Sequence, residues 1–313
     1  MQRYEESRAQ LVTEFNNLKV DHPERFERRL EMSWSNWGFG LEPLEQSCER
    51  LASAGLKYIE LHGNHYGSDL GYQPDVTGRL LDAYGLQVSG VCGMFAEEND
   101  LGSSRPQQQQ EAIAYIKREV AFCKEMGGAY LLVVPAAVGR AVPYDAFEIN
   151  RSAAALRSVA GSFIEAGVKA AIEPIRRDET TLVHTVQQAI SYIERVDHPG
   201  VQHINGDVYH MQSGEHNIAK AILEAGERLL NVHLADSNRG ALGSGSMDLD
   251  AIIMALYLVG HNGPGRFVTP EPLGPGASPY AARNGVTSRE ILNELVSDSV
   301  QYFREREDAL LAS

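Results

Sequence analysis

Four apolar runs in the second half of the chain each end on residues able to do chemistry. They are Glu173 in AAIEPI, Asp207 and His210 in NGDVYHM, His233, Asp236 and Arg239 in NVHLADSNR, and Glu271 in VTPEPL. An earlier run, YIELHG, supplies Glu60 and His62. Carboxylate oxygens with a single imidazole suit a hard or borderline divalent cation such as Mn2+, Mg2+ or Co2+, whereas a structural zinc site would call on thiolates. Such an ion can hold two oxygens of a hydroxy-ketone and stabilise the enediolate charge left when a proton leaves carbon. Two glutamates flanking the substrate from opposite sides can take and return that proton. Glu173 and Glu271 each precede a Pro at the end of an apolar strand, where a ligand role is favoured over a salt bridge to Arg176 or Arg266. Asp207 has the alternative of capping the next helix. His233 facing an interior without a partner would cost free energy, which favours a ligand role.

The elements that must position these residues follow a repeated rhythm of short apolar run, polar or Gly-containing loop, and amphipathic helical pattern. Eight strand candidates are read: EMSWSNWGF from Glu31, YIELHG from Tyr58, QVSGVCGMF from Gln87, YLLVVPA from Tyr130, KAAIEPI from Lys169, VQHINGD from Val201, LLNVHLAD from Leu229 and RFVTPEPL from Arg266. Helical spacing is clearest in LEQSCERLASAG, QEAIAYIKREVAFCKEMG and INRSAAALRSVAGSFIEAG, each stopped by a Gly. Near-continuous apolar strands alternating with helices imply a parallel sheet, and eight units imply an α/β fold closed as a (β/α)8 TIM barrel. A doubly wound sheet would want a Gly-rich phosphate turn after its first strand, and none is there. Active sites of such barrels lie at the carboxyl ends of the strands, so Glu60, His62, Glu173, Asp207, His210, His233, Arg239 and Glu271 are expected to converge there.

Residues 1–30 form a helical extension to a barrel domain of residues 31–313. Leu11, Val12, Phe15 and Leu18 recur at helical spacing, so the extension is expected to dock by one apolar face on the closed end of the barrel, with a partner-binding arm as the alternative. LGPGASPYAARNG, from Leu273, is long and rich in Gly and Pro, which makes it a candidate lid or interface loop.

Composition excludes several classes. With 43% hydrophobic and 22% charged residues the chain reads as an ordinary globular protein rather than a disordered one. A formal charge of -14 repels a phosphate backbone, so no nucleic-acid partner is expected. Cys48, Cys92 and Cys123 are odd in number and widely spaced, which argues against a disulfide framework and for a reducing compartment. MQRYEESRAQ lacks the apolar core of a signal peptide and no run is long enough to span a bilayer, so a cytoplasmic location without a membrane partner is expected.

From about Glu31 to Glu305 the chain resembles the xylose isomerase-like barrels of the sugar isomerase/epimerase superfamily, especially ketose 3-epimerases of the tagatose and psicose type. AAIEPI is similar to that family's fifth-strand segment, GDVYHM to its Asp-x-x-His-Met, HLADSNR to its His-x-x-x-x-x-Arg, and VTPEPL to its eighth-strand segment. The resemblance implies one divalent metal ion, Mn2+ first and Mg2+ or Co2+ as alternatives, held by Glu173, Asp207, His233 and Glu271. It further implies that Glu173 and Glu271 are the catalytic acid/base pair, and that His210 and Arg239 contact substrate. GSGSMDLDAII, after Arg239, is similar to the family's Gly-x-Gly turn.

The first half does not match one substrate. There Glu60, His62 and Trp37 are read as substrate contacts, with Glu60 orienting a ligand as the alternative; His65, Trp34 and Phe95 are weaker candidates, and Arg140 is positioned to meet an anionic substituent. The expected function is a metal-dependent isomerase or epimerase that abstracts a proton next to a carbonyl through a metal-stabilised enediolate. The alternative is a lyase cleaving oxidised 3-keto C-glycosides by elimination, because the large subunits of C-glycoside deglycosidases are similar barrels that work with a small partner chain. The expected partner is a small-molecule carbohydrate, and homo-oligomerisation is expected through loops at the barrel mouth.

Overall fold

The computed structural model describes residues 2–63, 72–273 and 288–312. Among these residues seven parallel strands pair in chain order into one sheet: β1 (Tyr58–His62), β2 (Gln87–Cys92), β3 (Tyr130–Val133), β4 (Lys169–Ile172), β5 (Val201–Asp207), β6 (Leu229–Leu234) and β7 (Phe267–Pro270). The first of the eight expected strands is shorter than its apolar run. Only Glu31–Ser35 runs between β7 and β1, where Ser33 N donates to Val268 O at 2.9 Å, Val268 N to Glu31 O at 2.9 Å and Glu60 N to Trp34 O at 2.8 Å. This segment bonds to both neighbouring strands and closes the barrel. From Asn36 to Phe39 the chain leaves the ladder for a 3-10 turn. Asn36 explains the departure: its Oδ1 accepts from His62 N at 2.9 Å and its Nδ2 donates to Tyr72 Oη at 3.0 Å, a side-chain alternative to strand pairing.

Among the described residues eleven helices surround the strands: α1 (Gln2–Asp21), α2 (Leu44–Ser53), α3 (Pro74–Ala83), α4 (Pro106–Glu125), α5 (Glu148–Val159), α6 (Gly161–Ala166), α7 (Val186–Val196), α8 (Val208–Gly214), α9 (Ile218–Ala225), α10 (Leu249–Leu258) and α11 (Arg289–Ala312). The glycines expected to stop three helices, Gly55, Gly127 and Gly167, take φ of 75°, 74° and 73°, the left-handed conformation in which an L side chain is strained. The helix read from Ile149 to Gly167 is broken at Ala160 into α5 and α6. His65 and residues 274–285 of the expected lid loop lie outside the described residues.

The extension lies along the flank of the barrel and does not cap its closed end. Phe15 is buried against Phe26 and Tyr257, with ring centroids 5.4 and 6.1 Å away. Tyr4 Oη and Arg8 Nε donate to Asp248 Oδ2 at 2.6 and 2.8 Å, and Asp248 is the residue that caps α10. Thus α1 runs beside α10, from the carboxyl end of the barrel to its amino end. The segment after α1 continues at the amino end, where Arg25 bonds the carbonyls of Tyr257 and Leu258.

Inside the barrel side chains alternate between the central axis and the outer helices, so residues two apart on a strand share a face at different heights. Tyr58, Tyr130 and Phe267 fill the lower interior, with Phe267 5.0 and 6.4 Å from the two tyrosine rings. Above them Asn205, Asn231 and Thr269 make a polar layer in which Thr269 Oγ1 donates to Asn231 Oδ1 at 2.7 Å and Asn231 Nδ2 to Asn205 Oδ1 at 2.8 Å. Asp207, His233 and Glu271 come two residues later on the same three runs, and so rise from that layer toward the mouth.

Candidate active site

His233 is the centre of the constellation. Its Nδ1 lies 3.2 Å from Glu271 Oε2 and 3.4 Å from Glu173 Oε1, and its Nε2 lies 3.0 Å from both oxygens of Glu60. One ligand atom each of Glu173, Asp207 and His233 fall within 4.8 Å of one another, and all three residues are buried. Glu271, 5% exposed, joins them through its contact with His233. The strands fix these positions by their main-chain bonds: Glu173 N donates to Val133 O at 3.1 Å and Glu271 N to Leu234 O at 2.9 Å.

Asp207 takes one of the two roles its sequence context offered, the helix cap. Its Oδ1 accepts from Tyr209 N at 2.7 Å and caps α8. Its Oδ2 is buried with no hydrogen-bond donor of acceptable geometry, although His210 Nε2 is 3.2 Å away. A buried carboxylate oxygen in that state is costly unless a cation completes it.

The electrostatics agree. Burial alone would push His233 toward neutrality, but Glu271 and Glu60 outweigh it and hold the imidazole well above its ordinary pKa. Burial would raise Asp207, yet His210, His233 and Arg239 hold it low. Burial pushes Glu271 well above the carboxylate range, and the nearby charges of Asp207 and Glu173 add to the effect. Three carboxylates therefore share more negative charge than His233 and Arg239 offset, an excess that one proton or one divalent cation relieves. Oxygen-rich donors with one imidazole fit such a cation.

Arg239 takes φ 58°, uncommon for a residue with a side chain, and its side chain is buried. It sits between the rings of Tyr209 and Trp37, 4.6 and 5.4 Å from their centroids. Glu179 Oε1 and Glu271 Oε1 are 3.7 and 3.9 Å from it, and its Nε and Nη1 are buried without a hydrogen-bond partner. The loop that carries it is tied down by Asp236, whose carboxylate accepts from the main-chain nitrogens of Ser237, Gly243 and Met247 at 2.7, 2.8 and 3.0 Å. His62 is buried at the end of β1, its ring edge-on to Tyr72 at 5.6 Å.

Other expected contacts stand elsewhere. Glu60 is fully buried one layer below the mouth with His233 above it, so it is placed to hold His233 rather than to touch a substrate. Arg140 does not face an incoming anion: it is clamped by Asp100 Oδ2 at 2.7 Å and by Glu148, and lies on the Tyr144 ring. Trp34 and Phe95 are core residues, stacked on Phe39 and edge-on to Tyr115. Sequence reasoning missed Asn205, which donates to Glu173 Oε1 at 2.8 Å, and Tyr130, which donates to Glu60 Oε1 at 2.7 Å. Strand parity was the available signal for Asn205, two residues before Asp207.

Residues 48–285 match the family model described as xylose isomerase-like TIM barrel. The chain belongs to that family. The ketose 3-epimerase of Arthrobacter globiformis is 28% identical over 72% of this chain and 77% of its own length. The L-ribulose 3-epimerase of Methylomonas sp. (strain DH-1) is 30% identical over 76% of this chain and 84% of its own. A solved L-ribulose 3-epimerase structure superposes with a TM-score of 0.78 at 21% identity, covering 90% of this chain and 96% of that one, a likeness of fold.

Proposed function

We propose that this chain is a sugar isomerase or epimerase that moves a proton on a carbon next to a carbonyl, with Glu173 and Glu271 as the acid/base pair. The observation that carries the reading is the convergence of Glu173, Asp207 and His233, with Glu271 on His233 Nδ1 and with Oδ2 of Asp207 left unsatisfied. These four would hold one divalent cation, Mn2+ first, and that cation supplies positive charge for substrate oxygens as the proton leaves carbon. Glu173 and Glu271 approach His233 Nδ1 from different strands, which allows one to remove the proton while the other returns it to the opposite face. Asn205 occupies Oε1 of Glu173 and so fixes the rotation of that carboxylate.

Arg239, His210, Trp37 and His62 bind and orient the substrate. Nε and Nη1 of Arg239, which make no hydrogen bond, are donors for sugar hydroxyl or carbonyl oxygens, and Trp37 offers an apolar face to the ring. Arg140 is neutralised by its two acids, so the described mouth favours an uncharged carbohydrate over a phosphorylated one. The barrel of residues 31–313 carries every one of these groups and the extension none.

The test is product analysis by NMR with Mn2+ across free ketoses and 3-keto-glycosides. Appearance of an epimer or the matching aldose supports the proposal. Release of an aglycone by elimination, without a new stereoisomer, would move the chain to the lyase class.

A further inference from the structure

We infer that Glu60 is a positioning residue for the metal centre: it keeps the His233 proton on Nε2 and so turns the Nδ1 lone pair toward Glu173, Asp207 and Glu271. The inference rests on the metal reading above, and it concerns a side chain that is fully buried beneath His233. Its basis is the set of neighbours around one buried carboxylate. Tyr130 Oη lies 2.7 Å from Glu60 Oε1, Asn231 Nδ2 3.3 Å from the same oxygen, and His233 Nε2 3.0 Å from both oxygens. Tyr130 and Asn231 present donors, and a carboxylate only accepts, so the nitrogen of His233 that faces Glu60 must carry a proton. The other ring nitrogen is then the one left for a cation, the arrangement by which carboxylates fix ligand tautomers in metal sites.

The surroundings are built for this. Gly90 on β2 leaves room for the Tyr130 ring to reach Glu60, since a Cβ there would fall 2.5 Å from the ring. Asn231 cannot turn its amide, because its Oδ1 is already held by Thr269 Oγ1 at 2.7 Å and its Nδ2 by Asn205 Oδ1 at 2.8 Å. Asn205 in turn donates to Glu173 at 2.8 Å. One hydrogen-bonded chain thus fixes both the ring of His233 and the carboxylate of Glu173.

Glu60→Gln is the informative change. With its oxygen kept at the Oε1 position that accepts from Tyr130 and Asn231, its amide NH2 takes the place of Oε2, 3.0 Å from His233 Nε2, and that contact favours moving the imidazole proton to Nδ1, which removes the lone pair a cation needs. Calorimetric titration of Mn2+ into metal-stripped protein reads this directly, with Co2+ visible absorption as the record of ligand geometry and circular dichroism as the check on folding. The wild type should bind one ion. Folded Glu60→Gln should bind about 10- to 100-fold more weakly with an altered Co2+ spectrum. Glu60→Asp should recover part of the affinity, which a merely structural role would not require. If Glu60→Gln does not fold, Tyr130→Phe removes one donor with the ring retained, and a several-fold loss of affinity is expected there. Wild-type affinity and spectrum in folded Glu60→Gln, or in Tyr130→Phe where that is the variant available, would overturn the inference and leave the metal reading standing. A wild type that binds no divalent ion would overturn the metal reading and this inference with it.

Discussion

Glu119 sits on α4 with both carboxylate oxygens buried and without a hydrogen-bond partner, beneath the end of β1 where a Cβ on Gly63 would lie 3.3 Å from Oε2. Burial pushes its pKa from 4.5 up to about 8, with the Arg118 charge a weaker opposing influence. The folded protein therefore keeps Glu119 protonated at pH 7, while the unfolded chain would release that proton. Because the folded-state pKa of this acid is raised, its cost is absent below about pH 4.5, grows as pH rises, and levels off above about 8. At pH 7 the unfolded pKa is exceeded by about 2.5 pH units, which at 1.36 kcal/mol each sets an upper bound of about 3 kcal/mol. Glu119→Gln has nearly the same shape and cannot ionise, so it removes this cost. Thermal unfolding at several pH values is the assay. The variant should match the wild type near pH 4.5 and exceed its Tm by roughly 5 °C at pH 7. A difference in Tm that does not change with pH, or a variant less stable at pH 7, would show that Glu119 is not held neutral in the fold.

Glu173→Gln and Glu271→Gln should each lower kcat by about 100-fold or more while thermal unfolding stays near wild type, because they remove a proton carrier rather than packing. Asp207→Asn and His233→Ala should lose metal on dialysis before other variants do, as read by elemental analysis; retained stoichiometric metal would exclude them as ligands. Arg239→Ala should raise KM more than it lowers kcat, since the guanidinium is placed to bind rather than to transfer a proton, and steady-state kinetics separate the two. Phe15→Ala should cost about 3 kcal/mol with kcat unchanged, because its ring packs on Phe26 and Tyr257 far from the mouth.

The fold was legible because parallel strands buried on both faces leave continuous apolar runs, and stop-signal glycines mark where helices end. The convergence of the candidate residues was legible for a related reason: an acid or a histidine at the carboxyl end of such a strand interrupts the apolar run. Height within the barrel was not legible. The β1–β2, β4–β5 and β5–β6 pairings each contain a register shift, at Ile59/Glu60, Ala170/Ala171 and Ile204/Asn205. Strand parity says that Glu60 faces the axis, but these shifts set its height there, where it is fully buried against His233. Arg140 was misread because Asp100, forty residues away in the chain, is brought to it only by the barrel. The first strand was overextended because Asn36 competes through its side chain, which an apolar pattern does not register.

Proton transfer at carbon is tested most directly by running the turnover reaction in D2O with metal-loaded wild type, Glu173→Gln and Glu271→Gln, and locating deuterium in the recovered sugar by NMR. Wild-type enzyme should place solvent deuterium on a carbon next to the carbonyl, and both variants should lose that exchange together with turnover. Turnover without deuterium at carbon, or undiminished exchange in either variant, would contradict the assignment of Glu173 and Glu271 as the acid/base pair.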